Sequence, residues 1–184
     1  MNLESFLLRQ RSSVINKWVD CVVATYAPET ARLLKKETNQ FANPVGHTIH
    51  HGIEAVYDEL LRGWDGEKLA SHLDRILRIR AVQEFSPAQA ISFVFHLKQI
   101  VRDELQQHIK EIQIPASEVA AFEAKVDDLA LLAFGIYTQC RERLYEVRLT
   151  EFKTRTYRLL QRANLLAEIP DWEAKPKGIN HQGT

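Results

Sequence analysis

The chain has 184 residues, of which 45% are hydrophobic, so it is long enough for one domain with a sizeable core. Lysine plus arginine and aspartate plus glutamate both number 24, and this balance gives no argument for nucleic-acid binding. No window approaches the run of about 20 apolar residues that spans a membrane, and residues 1–9 lack the features of a signal peptide. We therefore expect a cytoplasmic protein that binds no nucleic acid and does not insert into membranes.

Helical periodicity and turn residues predict a chain made only of α-helices, with no competing strand. Asn43 before Pro44 and Ser86 before Pro87 are N-cap pairs, and Gln89 stands where a capping-box partner reaches back. The predicted helices cover about residues 3–26, 30–37, 44–61, 67–82, 87–112 and 117–166. The fold class is therefore all-α.

The helix after Pro87 is apolar on most of its circumference, which is typical of a helix at the centre of a fold. Its predicted inward stripe consists of Ala90, Phe93, Val94, Leu97, Val101 and Leu105. The residues predicted to cover its flanks are Ile91, Phe95 and Ile100. This helix and the first half of the last one are expected to form the centre of the core.

The last helix changes its apolar stripe near residue 145, and the new stripe alternates steps of four and three residues. We call this stripe the seam; it consists of Tyr145, Leu149, Phe152, Thr156, Leu159, Ala163 and Leu166. Such spacing is typical of a two-stranded coiled coil, and the arginines beside it suit flanking positions better than phosphate contacts. We expect the seam to form a homodimer interface on a helix that projects as a coiled coil.

These patterns divide the chain into three parts. Residues 1–144 form an all-helical body, and residues 145–168 form a coiled-coil helix continuous with it. Residues 169–184, which include Pro170 and Pro176, are polar and are predicted to be disordered. The two cysteines, Cys21 and Cys140, are expected to be buried thiols, and the sequence leaves a disulfide between them open.

Two histidines have the spacing of metal ligands. His47 and His51 lie four residues apart on one helical face. However, Thr48 stands where the His-Glu-x-x-His motif requires glutamate, and no third ligand can be assigned. A metal site at His47 and His51 is thus one hypothesis, and solvated or hydrogen-bonded surface histidines are the other.

A helical bundle can hold haem through one histidine. His96 lies among apolar residues of the central helix, so a pocket formed by His96, Phe93 and Phe134 is the candidate site. The simpler interpretation is a histidine at the edge of the core, bonded to a carboxylate or backbone group. We expect no cofactor, with a haem-binding or metal-binding sensor as the alternative.

Nothing in the sequence predicts catalysis. The acidic pairs Asp58-Glu59 and Asp127-Asp128 are adjacent, and adjacent helical residues do not face each other. There is no glycine-rich phosphate loop, and Ser12-Ser13 is not framed by a nucleophile elbow. We therefore expect a protein that is not an enzyme.

Several motifs resemble one protein family, over roughly residues 3–166. They are Asn43-Pro44-Val45-Gly46-His47, the run AVQEFSPAQA at 81–90, FVFHLK at 93–98 and LLQRANL at 159–165. These stretches resemble the N-terminal domain of RsbT co-antagonist proteins of the RsbR/RsbD type. The resemblance implies a globin-like fold, usually without haem, that dimerises and acts as a sensory input module of stressosome-like signalling with a protein partner.

In full-length co-antagonists of that family, the last helix leads into a C-terminal STAS domain with the phosphorylation and partner-switching chemistry. Here the sequence ends shortly after Leu166. We therefore expect a stand-alone, non-enzymatic sensory module that relays a signal through its long C-terminal helix.

Overall fold

The computed structural model describes residues 2–36, 41–163 and 165, and within these residues the chain contains helices and no strand. The helices are α1 (Leu3–Arg9), α2 (Arg11–Val23), α3 (Pro28–Lys36), α4 (Pro44–Arg62), α5 (Gly66–Val82), α6 (Pro87–Gln107) and α7 (Ala116–Arg162). The all-α prediction is confirmed, and the bundle is consistent with a globin-like fold. Leu166 and the predicted tail at 169–184 lie outside the described residues.

Four of the described helices begin at side-chain caps, and Asn2 caps α1. The Asn43 side chain accepts from the Gly46 N–H at 2.8 Å, and Ser86 and Gln89 form a full capping box at the start of α6. Both caps were predicted. Asp65 caps α5 in the same way by accepting from the Lys68 N–H at 3.1 Å. These short-range bonds satisfy N–H groups that have no partner inside the helix.

The first predicted helix is in fact two helices, and the central helix ends earlier than predicted. Gln10 leaves the helical conformation between α1 and α2, and its side-chain amide lies 3.2 Å from Nε2 of His108. His108 is also the C-cap of α6, whose last residue, Gln107, lies five positions before the predicted end at Ile112. A contact between residues so far apart in sequence leaves no local signal, so periodicity alone missed both ends.

The core lies in the compact unit formed by residues 1–145; residues from 146 onward form a second unit. Within the first unit, α4 packs on α5 and α2 packs on α6. Trp18 and Tyr57 are fully buried, and their polar atoms donate to backbone carbonyls, Trp18 to Phe93 at 2.7 Å and Tyr57 to Leu7 at 3.0 Å. These bonds remove the cost of burying an unpaired donor.

Helices α6 and α7 run antiparallel within the first unit. Lys98 pairs with Asp127 at 2.6 Å, and Arg102, one turn later, pairs with Glu123, one turn earlier. Most of the predicted α6 stripe is buried, with Leu105 only half-buried. Phe95, predicted to cover a flank of the core, is instead 47% exposed, because a helix buried on one side leaves the opposite side uncovered.

Cys140 is buried and Cys21 is half-buried, and both are free thiols. No helix among the described residues combines the length and the apolar character needed to cross a bilayer. The chemistry of the fold therefore has to be sought among its polar side chains.

Candidate functional site

The turn between α5 and α6, residues 83–86, has unusual backbone geometry. Glu84 has φ +62°, the one described non-glycine residue with positive φ. The Glu84 N–H donates to Ala81 O and the Phe85 N–H donates to Arg80 O, both at 3.2 Å. This pair of bonds is a Schellman motif, in which glycine usually holds the left-handed position. Glutamate there stores strain of about 1 kcal/mol.

Arg80 lies beneath this turn and is fully buried. Its Nη2 donates to Thr25 Oγ1 at 3.0 Å and to Gln89 O at 2.8 Å. Its Nε and Nη1 have no hydrogen-bond partner among the described residues. A buried donor without a partner is uncommon in folded proteins and points to a specific role.

Aromatic rings surround the Arg80 guanidinium. Its central carbon lies 4.3 Å from the ring centroid of Phe85, 5.7 Å from that of Tyr26 and 5.9 Å from that of Phe93. We call these four residues the Arg80 box. Cation–π contacts of this kind contribute about 0.5–2 kcal/mol each.

The charge of Arg80 has no carboxylate partner within ion-pair distance among the described residues. Burial lowers the pKa of its guanidinium, while the Tyr26 hydroxyl acts in the opposite direction. An unpaired cation in a low-dielectric site costs several kcal/mol. The Arg80 box is therefore chemically suited to receive an acceptor group with negative charge.

Helix α7 is bonded directly to the same turn. The Tyr137 hydroxyl donates to the carbonyl oxygen of Phe85, and Arg141 Nη1 donates to Ala81 O at 3.2 Å. The other end of the Arg141 guanidinium donates to the Tyr145 hydroxyl at 2.7 Å and lies 4.9 Å from the ring centroid. Through these contacts the turn, the Arg80 box and residues 137–145 of α7 form one network.

The sequence analysis did not single out Arg80 or Tyr137. The signal for Arg80 was present, because the buried stripe of α5 passes from Leu69 to Leu73 to Ile76 and then, four residues on, to Arg80. The quoted motif at 81–90 supplies both the turn and the capping box above this arginine.

The three residues predicted as a cofactor pocket do not come together as a buried site. Phe93 is in the core, with its ring centroid 6.1 Å from that of Trp18. His96 is exposed, and Phe134 is 49% exposed. Because α6 turns His96 away from the core, these side chains do not enclose a haem within one chain. Haem binding itself stays a prediction, tested by an absorbance spectrum of protein purified from its native host.

The predicted metal ligands do lie together. The His47 and His51 rings contact edge to face with centroids 4.1 Å apart, and the Nδ1 atoms of His50 and His51 lie 3.4 and 3.3 Å from the Glu54 carboxylate. They line a groove of about 620 Å³ between α2, α3 and α4. No set of three or more ligand side chains in the described part of the chain has metal-site geometry. A metal at His47 and His51 stays a prediction.

Most of the predicted dimer interface is open to solvent in the single chain. Phe152 is 66% and Leu159 is 64% exposed, whereas Thr156 is half-buried. The remaining described seam residues, Tyr145, Leu149 and Ala163, are also exposed. Further exposed apolar residues on this segment, which the sequence analysis did not assign to the seam, are Val147, Tyr157, Leu160 and Leu165.

The described part of the chain is an all-α helical bundle with a polar network at one turn. This is the class of regulatory domain that the motifs in the sequence indicated. The model of the RsbT co-antagonist protein rsbRD N-terminal domain matches residues 12–151, and the chain belongs to this family. It is a family of regulatory domains and not a known enzyme family.

The chain is also similar to an uncharacterized protein of Archaeoglobus fulgidus, with 25% identity over 147 residues. The aligned part covers 77% of this chain and 83% of that protein. No solved structure matches the chain.

Proposed function

We propose that the protein is a non-enzymatic sensory module of stressosome-like signalling, which forms a homodimer and relays a signal to a protein partner through α7. Membership of the co-antagonist family supports the regulatory role. The single observation that supports self-association is the row of exposed apolar side chains along the second half of α7. A cytoplasmic location belongs to the same proposal.

The seam has the chemistry of a coiled-coil interface. Leu149, Phe152 and Leu159 are more than half exposed in one chain, and each gains about 1.5–3 kcal/mol when fully buried. A coiled coil buries residues with this spacing in holes formed by the facing helix. Self-association through the seam thus removes the largest apolar exposure of this segment.

The flanking charges favour a parallel arrangement. Heptad positions beside the seam place Arg148 and Arg155 on one side and Lys153 on the other. In a parallel pair, Arg148 of one copy lies near Lys153 of the other copy, which gives one repulsive contact on each side of the dimer. In an antiparallel pair, the side that carries Arg148 and Arg155 would face the same side of the other copy, so more like charges would be in contact. We therefore propose a parallel coiled coil.

A second apolar area lies on α6 and α7 within the first unit. The Lys98–Asp127 ion pair fixes the register of the two helices. Because the helices are antiparallel, Phe95, one turn before Lys98, is level with Leu131, one turn after Asp127. Leu131 is 72% exposed, and Phe134, on the same helix, is about half exposed. We propose that a second copy also covers this area, since exposed apolar patches mark interaction sites.

Sedimentation equilibrium of two matched double variants tests the proposal. Phe152→Asp with Leu159→Asp places two charges in the seam, and we expect dimer affinity to fall about 100-fold or more, the equivalent of about 3 kcal/mol. Thr154→Asp with Gln161→Asp places the same charges on the opposite face of α7 and should leave dimerisation like that of the parent. If the seam variant sediments as the parent does, self-association through the seam is wrong.

The network at the α5–α6 turn supports the relay part of the proposal. Tyr137 and Arg141 bond the turn to α7, and Arg141 continues to Tyr145, the first residue of the seam. A change in the position of the turn therefore acts on α7 next to the proposed interface. The test is whether Tyr137→Phe changes the dimer dissociation constant while Tyr57→Phe, on α4, does not.

A further inference from the structure

We propose that the Arg80 box is a binding site for a small monovalent anion, which accepts a hydrogen bond from one of the two nitrogens of Arg80 that have no partner among the described residues, Nε or Nη1. The binding proposal stands on the geometry of the box alone. Its use as the input of the sensory module rests in addition on the proposed function.

The first argument is charge. Arg80 is fully buried, and the described residues offer it neutral oxygens from Thr25 and Gln89 but no carboxylate. A bound anion would neutralise the guanidinium where the low dielectric makes the attraction strong. A single negative charge is sufficient, which favours a monovalent ligand.

The second argument is the direction of the free donors. A guanidinium presents its N–H groups in its own plane, in a fork suited to anions. The rings of Phe85, Tyr26 and Phe93 stabilise the positive charge, and the Tyr26 hydroxyl interacts with the guanidinium without forming a hydrogen bond to Nε or Nη1. Nη2 is already used, and Nε–H and Nη1–H point to different edges of the guanidinium, so the ligand reaches one of these two donors. A halide or the carboxylate of a short organic acid has the size and acceptor capacity for these positions.

The third argument is access. Phe85, Tyr26 and Thr25 are only half-buried, so one layer of side chains separates Arg80 from solvent. The Tyr26 hydroxyl donates to Gln83 Oε1 at 2.9 Å across the exposed side of this layer. Opening this bond and rotating Phe85 would admit a small ligand without unfolding a helix.

The same movement would reach α7. Phe85 covers the guanidinium with its ring and accepts the Tyr137 hydrogen bond with its carbonyl. A ligand that displaces the Phe85 ring therefore alters a bond between the turn and α7. In the sensory module this contact would report whether the site is occupied.

The decisive experiment is a titration of the arginine Nε–Hε signals of the full chain by nitrogen-15 NMR, with sodium chloride in one arm and sodium formate in the other. The Arg80 signal is assigned by its loss in Arg80→Lys. We expect it to shift and reach a plateau in at least one arm, which also distinguishes a halide from a carboxylate ligand. The signal of exposed Arg78, on the same helix, should change only gradually with salt.

A second measurement compares urea unfolding of Arg80→Met with that of the matched control Arg78→Met. The effective salt should raise the unfolding midpoint of the parent and of Arg78→Met in a saturable way, and should not do so for Arg80→Met. An Arg80 signal that follows Arg78 in both arms would overturn the proposal and leave water as the partner of Nε and Nη1. If Arg80→Met does not fold, the titration of the parent decides. Neither readout depends on self-association, so this inference and the proposed function fail separately.

Discussion

The Tyr137 hydroxyl of α7 donates a hydrogen bond to the carbonyl oxygen of Phe85, the residue that follows left-handed Glu84. The Phe85 ring in turn lies over the buried guanidinium of Arg80. Phe85, in the α5–α6 turn, thus contacts both the long helix α7 and the guanidinium of Arg80, which has two nitrogens without a hydrogen-bond partner in the described part of the chain. This relationship makes the turn the natural place to test how the domain works.

Loss of the Tyr137 hydroxyl should weaken the attachment of the turn. Burial raises the pKa of this hydroxyl, so it is present as a donor at neutral pH. We expect Tyr137→Phe to lower the free energy of unfolding by about 0.5–1.5 kcal/mol in urea denaturation. Tyr157→Phe, on the exposed surface of the same helix, is the control and should have a smaller effect. Equal stability of Tyr137→Phe and the parent would contradict this account of the turn.

The strain at Glu84 can be isolated by comparing two substitutions that both remove the carboxylate. At φ +62° glycine avoids the Cβ clash that alanine keeps. We therefore expect Glu84→Gly to have a free energy of unfolding about 1 kcal/mol higher than Glu84→Ala. The order is normally the reverse within a helix, so alanine as the more stable variant would show that position 84 is not left-handed.

Glu104 should make stability depend on pH. Its carboxylate is buried and accepts from Ser13 Oγ at 2.5 Å and Lys17 Nζ at 2.7 Å. Burial raises the pKa of the carboxyl, but the hydrogen bonds from Lys17 and Ser13 and the nearby positive charge of Lys17 together lower it by more, so the net pKa lies below the ordinary 4.5. Since the folded-state pKa is depressed, the stabilisation is complete above pH 4.5 and is lost as the pH falls through the folded-state pKa.

The variant Glu104→Gln measures this contribution. At neutral pH we expect it to lower the free energy of unfolding by about 1.5–3 kcal/mol, because charge-assisted bonds are lost. The difference from the parent should shrink below pH 4.5. Asp103→Asn, on the exposed side of the same helix, is the control. A difference that stays constant across this range would rule out the ionised carboxylate as its source.

Charge reversal at Lys153 tests the proposed helix orientation. In a parallel dimer Lys153→Glu faces Arg148 of the other copy, and the two symmetric attractions should tighten the dimer about 3- to 10-fold. Arg158→Glu makes the same change of charge away from the flanking positions. The gain should diminish at high salt. A weaker dimer, or an equal gain for Arg158→Glu, would argue against the parallel arrangement.

Local signals in the sequence were sufficient for most of the fold. The caps at Asn43 and Ser86 and most of the apolar stripe of α6 depend on neighbouring residues, and these predictions agree with the structure. The break at Gln10 and the end of α6 at His108 depend on a contact across the fold. Such contacts have no counterpart in a short window of sequence.

The site was harder to predict than the fold. Arg80 was missed because charged residues are almost never fully buried without a partner. His96 is exposed, and haem binding through it stays a prediction. The family resemblance was correct over residues 12–151. The chemical role of the motif at 81–90 could not be predicted from the sequence, because it depends on the position of the turn over Arg80 and beside Tyr137.

Covalent trapping of the seam tests the central claim most directly. In a parallel dimer, Leu159→Cys meets its own copy across the interface, whereas Thr154→Cys faces away from it. Under mild oxidation we predict a disulfide-linked dimer for Leu159→Cys, and only the background of the parent, with its buried Cys140 and half-buried Cys21, for Thr154→Cys. No covalent dimer of Leu159→Cys, or equal amounts from both variants, would contradict a parallel dimer formed through the second half of α7.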